Sequence, residues 1–255
     1  MIHETRDFSH VRSTEGKMFR EIKKKQIILE NRKPYKSDVT NYIRELNLID
    51  WVYSSMRMDG SSLTREDVGR ILKGEFIIDA AVSDHAAVEN YCSAIKYAND
   101  ILALGSDINN KIILQIHNLL SGGTTLAYRR GNPIVLAFGY NPPHASEVEE
   151  QMNLLLIWLY SKEFETNPLL KAAHLHNRFI EIFPFEENCG AMARFLLEYY
   201  LLRNGYPPVA LGFSEQEYNG MIIKYLKEDD SQPFYNVLER AMFNKMEILM
   251  QLTAR

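Results

Sequence analysis

The sequence predicts an all-α fold interrupted by one short β-hairpin. Two observations carry this. Helix-capping residues followed by apolar residues at helical spacing recur along the chain. Only Ala127 to Leu136 combines β-branched residues with a Gly-Asn-Pro turn signal. With 46% apolar and 24% charged residues, the 255-residue chain has ordinary soluble composition and enough length for a sizeable core.

Thr64 and Asp67 open a helix carrying Val68, Ile71 and Leu72, and Gly74 closes it. After the hairpin, Gly139-Tyr140-Asn141-Pro142-Pro143 forms a turn-rich return. Ser146 and Glu149 form a capping-box pair ahead of Val148, Met152, Leu155, Leu156 and Leu159. Asn167-Pro168 puts a capping amide before a first-turn proline, starting a helix that runs to about Ile182. Ser214 and Glu217 repeat the capping box, and Pro233 starts a closing helix whose Met242 and Met246 read as core. A soft boundary near Ser106 and Asp107 separates an N-terminal helical region, 1–106, from the main module, 107–255. The two can also form one continuous core.

A net charge of -4 gives no basic footprint for nucleic acid, and Lys23-Lys24-Lys25 reads as a solvated helix face. The longest apolar run, Leu154 to Leu159, is far below the roughly 20 residues that span a bilayer, so no membrane partner is expected. The polar N-terminus lacks the apolar core of a secretory leader, and the two distant cysteines, Cys92 and Cys189, fit a reducing compartment; the expected location is the cytoplasm.

The most informative stretch is Phe183-Pro184-Phe185-Glu186-Glu187-Asn188-Cys189-Gly190-Ala191-Met192-Ala193-Arg194. Pro184 forbids continuation of the preceding helix, and a second helix starts around Gly190 to Ala191. Two readings stay open on chemistry alone: an anion site at the new helix N-terminus, or a simple turn between core helices. Cys189 is either a thiol activated by the helix end or a buried inert one.

This stretch resembles the motif of the Fic (Fic/Doc) family, H-P-F-x-(D/E)-G-N-(G/K)-R-x-x-R. The resemblance extends to Ala172–His176, to Leu196–Pro208, and to Tyr128-Arg129 and Tyr140–Pro143, roughly residues 110 to 210. It implies a Fic-type helical bundle and transfer of AMP from Mg-ATP to a protein hydroxyl, with the motif histidine as base. Phe183 stands at that histidine's position, so no catalytic residue is assigned. Glu187 keeps the acidic position that binds magnesium. Asn188, Cys189, Gly190 and Arg194 occupy the nucleotide-binding positions, with Asn188 for glycine and Cys189 for asparagine. Ala191 removes the first arginine. Arg194 either meets phosphate or bridges carboxylates in the core. Tyr128, Arg129 and Ile134 lie on the stretch that resembles the target-docking flap. His174 and His176, two apart on a helix, point to different sides, and neither replaces Phe183.

Ser54 to Gly60 resembles the family's inhibitory motif, (S/T)-x-x-x-E-(G/N), aligned from Ser55 with Asp59 for the glutamate and Gly60 after it. The resemblance pairs Asp59 with Arg194; the shorter acid is expected to need a water or a shifted helix to reach. The alternative is a helix end closed by Gly60 with Asp59 exposed. Together these positions imply a Fic-fold protein impaired in AMP transfer, keeping nucleotide binding or a protein-interaction role. Two further readings are a transferase using altered chemistry and an oligomerising helical scaffold.

Overall fold

The structure, a computed structural model, describes residues 16–123, 126–161 and 167–254. Among these it contains ten α-helices: α1 (Lys17–Asn31), α2 (Ser37–Met58), α3 (Arg65–Leu72), α4 (Val82–Ala103), α5 (Asn110–Leu120), α6 (Val148–Tyr160), α7 (Pro168–Ile182), α8 (Cys189–Arg203), α9 (Glu215–Glu228) and α10 (Gln232–Leu252).

Helices α7 and α8 form the centre. Both are buried along most of their length, α8 with apolar residues all the way round and α7 with buried polar residues such as His176, Asn177 and Glu181 among its apolar ones, so other helices enclose them. Phe179, Ile180, Met192, Phe195 and Leu197 are fully buried between them and their neighbours. Around this pair, α6 packs on α7, α5 and α2 on α8, α4 on α5, and α1 against α10. One cluster of buried apolar side chains runs from Phe19 to Leu249, with Met242 and Met246 inside it. An ionic cluster ties three helices together: Asp50 of α2 takes Lys245 of α10 at 2.7 Å and Arg65 of α3 at 2.7 and 2.9 Å.

The capping chemistry explains the helix starts. Thr64 with Asp67 and Ser214 with Glu217 form complete capping boxes, and Asn167 accepts from Leu169 N–H ahead of Pro168. The pair expected at Ser146 and Glu149 does not form. A 3₁₀ turn, Ala145–Glu147, precedes α6, and His144 Nδ1 bonds both the backbone N–H and the hydroxyl of Ser146. The hydroxyl is therefore engaged upstream, and Glu147 becomes the N-cap without a side-chain bond.

The hairpin also differs from expectation. Among the described residues this stretch contains one antiparallel bridge, Val135 with Tyr140, and no paired strands. Its polar groups bond elsewhere: Gly131 N–H reaches Glu186, Asn132 accepts from Ala145 N–H, and Pro133 has no N–H to offer. Lys24 and Lys25 of the basic triplet pair with Glu21 and Glu247 on the bundle surface. No helix among the described residues is long and apolar enough to cross a membrane.

Candidate functional site

The α7–α8 loop begins where Phe183 adopts left-handed angles (φ 49°, ψ 60°) just before Pro184. The carbonyls this exposes are gathered by Arg129. Its backbone N–H donates to Pro184 O at 2.9 Å, its Nε to Phe183 O at 2.7 Å, and its Nη1 to Gly131 O at 2.8 Å. A buried guanidinium thus caps the C-terminus of α7 and ties residues 127–143 to the loop. Tyr128 turns inward too, donating to Asn110 Oδ1 at 2.9 Å with its ring 5.5 Å from Phe185. Ile134 faces outward and is 66% exposed.

A residue not foreseen from the sequence supports the loop from beneath. His117, in the last turn of α5, stacks on Phe185 at 3.6 Å with the rings nearly parallel, and its Nε2 lies 3.1 Å from Glu187 O. A carbonyl only accepts, so Nε2 carries the proton and Nδ1 is bare. Nδ1 is buried with no hydrogen-bond partner among the described residues, and burial lowers the ring's pKa and keeps it neutral. Seventy positions separate His117 from its carbonyl partner, and no spacing rule connects them.

Asn188 takes the second left-handed conformation of the loop (φ 55°, ψ 20°), the backbone role for which glycine is favoured and which asparagine tolerates. Its Nδ2 donates to Ser121 Oγ at 3.1 Å, and its side chain makes no cap on α8. The N–H groups of Cys189, Gly190 and Ala191 therefore head the helix without intrahelical partners, and its first turn carries no acid. Cys189 is buried, and burial pushes its thiol up to about 12, so it is an inert side chain and not a nucleophile at neutral pH. Glu187 is exposed, and no group of three or more metal-ligating side chains occurs among the described residues. This donor set does not fit a self-contained metal centre. It does fit magnesium held through one carboxylate together with phosphate oxygens.

Arg194, one helical turn into α8, is 3% exposed. Its Nε donates to Ser55 Oγ at 2.8 Å, its Nη2 pairs directly with the Asp59 carboxylate, and its guanidinium lies over the Tyr218 ring at 5.0 Å. Ser55 in turn shares a hydrogen bond with Tyr91. Burial alone would lower the pKa of Arg194; Asp59, then Tyr218 and Tyr91, outweigh it and raise the value. No bridging water or helix shift is needed for the pair, contrary to the expectation from the shorter acid. Asp59 is still nearly half exposed and followed by Gly60 at φ +85°, so the helix-end reading and the pairing both hold. Gly190 lies against the same guanidinium: a Cβ there would sit 3.0 Å from Arg194 Nη1, which would have to give way slightly. That Nη1 is buried and has no hydrogen-bond partner among the described residues. Beside the pair opens a cavity of about 360 Å³, lined by Asp59, Gly60, Tyr91, Asn188 and Ala191 among others.

Residues 107–201, which hold this loop, Arg194 and His117, match the family model described as the Fic/DOC family. The chain carries a Fic/DOC domain. The "Protein adenylyltransferase Fic" of Aedes aegypti is 26% identical over 213 residues, 81% of this chain and 42% of that protein. The protein of the same name from Nematostella vectensis is 28% identical over 194 residues, 74% and 45% of the two chains. The chain thus spans less than half the length of these relatives. A segment of Fic-1 from C. elegans superposes with a TM-score of 0.79 at 21% identity, covering 92% of this chain and 71% of that one. A Fic domain containing signaling protein from Bacteroides thetaiotaomicron gives 0.78 at 18% identity, covering 92% and 97%. Both are likenesses of fold.

Within the Fic domain, His176 is an internal brace. It is fully buried, stacks on Phe234 at 4.3 Å, and bonds Asn177 Oδ1 at 2.9 Å and Tyr218 Oη at 2.8 Å, thereby holding the ring that faces Arg194. Burial brings its pKa down from 6.5 to about 3. Between those values the unfolded chain binds the extra proton, so this contribution to stability is complete above pH 6.5 and is lost as pH falls towards 3. The melting temperature is expected to fall more steeply between pH 6.5 and 4 in the unmodified chain than in His176→Gln. Equal slopes would refute the buried neutral imidazole. His174 is partly buried, edge-on to Trp158 at 6.3 Å, and burial lowers its pKa.

Proposed function

We propose that this is a Fic-fold protein related to the protein adenylyltransferases, in which AMP transfer is lost and the phosphate-binding end of the site survives. The observation that carries this reading is Phe183 at the position of the motif base. None of His117, His174 and His176 takes over: His117 Nδ1 and His176 are buried, and His174 packs on Trp158. The first-turn amides of α8 suit phosphate oxygens, with the Arg194 charge behind them once Asp59 is displaced, and Glu187 suits their magnesium. Mg-ATP would supply the AMP group and the leaving pyrophosphate. Ala191 takes one positive charge away from that end, which lowers phosphate affinity.

Asp59, held with Ser55 and Gly60 at the end of α2, acts as the inhibitory group in this reading. Its carboxylate takes up Arg194 and adds negative charge to the cavity wall, so phosphate must displace it. The exposed side of residues 130–136, with Ile134 and Leu136 outward, is the surface on which a protein partner would dock. The free cysteines, Cys92 and Cys189, fit a reducing compartment such as the cytoplasm.

A second reading, transfer of a nucleotide or phosphate group to a protein hydroxyl by altered chemistry, rests on the retained Glu187, Gly190 and Arg194. Labelled Mg-ATP separates the two. Incubated with the chain and a mixture of protein acceptors, it is expected to leave no more label on protein than it does with Glu187→Ala. Labelling that depends on Glu187 would overturn the lost-transfer reading in favour of the second.

A further inference from the structure

The end of α5 grips the loop ahead of α8 at two adjacent residues. His117 Nε2–H donates to Glu187 O at 3.1 Å and lies 3.3 Å from Ser121 Oγ. Ser121, the residue that closes α5, also accepts from Asn188 Nδ2 at 3.1 Å, across 67 positions of sequence. A hydroxyl oxygen has two lone pairs, so it can serve the imidazole and the amide together. One chain of hydrogen bonds thus runs from α5 to the two residues that precede α8.

Asn188 is the member of that chain under strain. Its φ of 55° and ψ of 20° are left-handed, a conformation in which a Cβ is crowded and which asparagine enters chiefly when its amide finds a hydrogen bond. Among the described residues, Ser121 Oγ is the partner that the Asn188 side chain finds. The conformation turns the chain directly into α8, whose first free N–H groups are those of Cys189, Gly190 and Ala191. Asn188 is exposed and lines the cavity beside Arg194, so a side chain released by Ser121 is free to enter it.

We propose that Ser121 is a positioning residue for the phosphate end of the site, holding Asn188 in a glycine-like conformation with its side chain clear of the α8 amides. That role presupposes the phosphate site proposed above. The hydroxyl acts through the Asn188 side chain, since His117 keeps its shorter bond to Glu187 O without it. Its effect must therefore vanish when residue 188 has no side chain to hold.

The test is a double-mutant cycle in the Asp59→Ala chain, read by calorimetric titration of Mg-ATP, with circular dichroism confirming that each variant is folded. Ser121→Ala is expected to weaken binding about three- to tenfold. In Asn188→Gly the left-handed conformation carries no strain and there is no amide to hold, so adding Ser121→Ala should change the affinity less than about twofold. Unchanged affinity in the first comparison would overturn the proposal. So would an equal loss in both backgrounds, which is what a purely structural role at the end of α5 gives. Absence of binding in Asp59→Ala itself would instead remove the phosphate site, and the role of Ser121 with it.

Discussion

The Phe183→His substitution alone is expected to leave AMP transfer near the level of the unmodified chain, whereas Phe183→His/Cys189→Asn/Ala191→Arg should raise it by about 10²- to 10⁴-fold. A base accelerates only what is already bound and aligned. With Ala191 in place, the start of α8 lacks one positive group for phosphate, and the buried Cys189 thiol offers a poor hydrogen-bond donor beside the loop. The backbone can accept the new histidine, since residue 183 is already left-handed and histidine enters that region more readily than most side chains. Transfer is read as label fixed on protein from Mg-ATP. A full gain from the single substitution would show that Cys189 and Ala191 are not limiting.

Asp59→Ala is expected to lower stability by about 2 kcal/mol, roughly 4 to 8 °C in melting temperature for a chain of this size. Losing one partner of a fully buried pair costs more, but the Asp59 carboxylate is 47% exposed and water screens part of the interaction. Arg194 remains buried beside Ser55 and Tyr218 and is left without a counter-charge. An anion that takes the place of Asp59 should recover part of the loss by mass action. Thermal scans should therefore show Mg-ATP stabilising Asp59→Ala more than the unmodified chain. Equal shifts would mean that Asp59 does not compete with the nucleotide.

Local chemistry was legible in the sequence wherever one residue had one available partner. Thr64 with Asp67, Ser214 with Glu217 and Asn167 before Pro168 form as read, because each cap needs only groups within three positions. At Ser146 a competitor two residues upstream, His144, engaged the hydroxyl. The hairpin failed for a related reason: Gly131 and Asn132 find partners at Glu186 and Ala145, which periodicity cannot anticipate. At the site, the motif frame and the approach of Asp59 to Arg194 were readable only through the family resemblance. The direct contact was not, because it depends on how closely the end of α2 packs beside α8. His117 under Phe185, and Arg129 across the end of α7, were missed in their supporting roles because both act over more than fifty positions.

The central claim is a surviving phosphate site centred on Arg194 and held by Asp59. Calorimetric titration of Mg-ATP into Asp59→Ala and into Asp59→Ala/Arg194→Ala, both confirmed folded, tests it most directly. The account predicts saturable binding of one nucleotide per chain in the first and its loss in the second. Absence of binding in Asp59→Ala, or the same affinity in both variants, would contradict it.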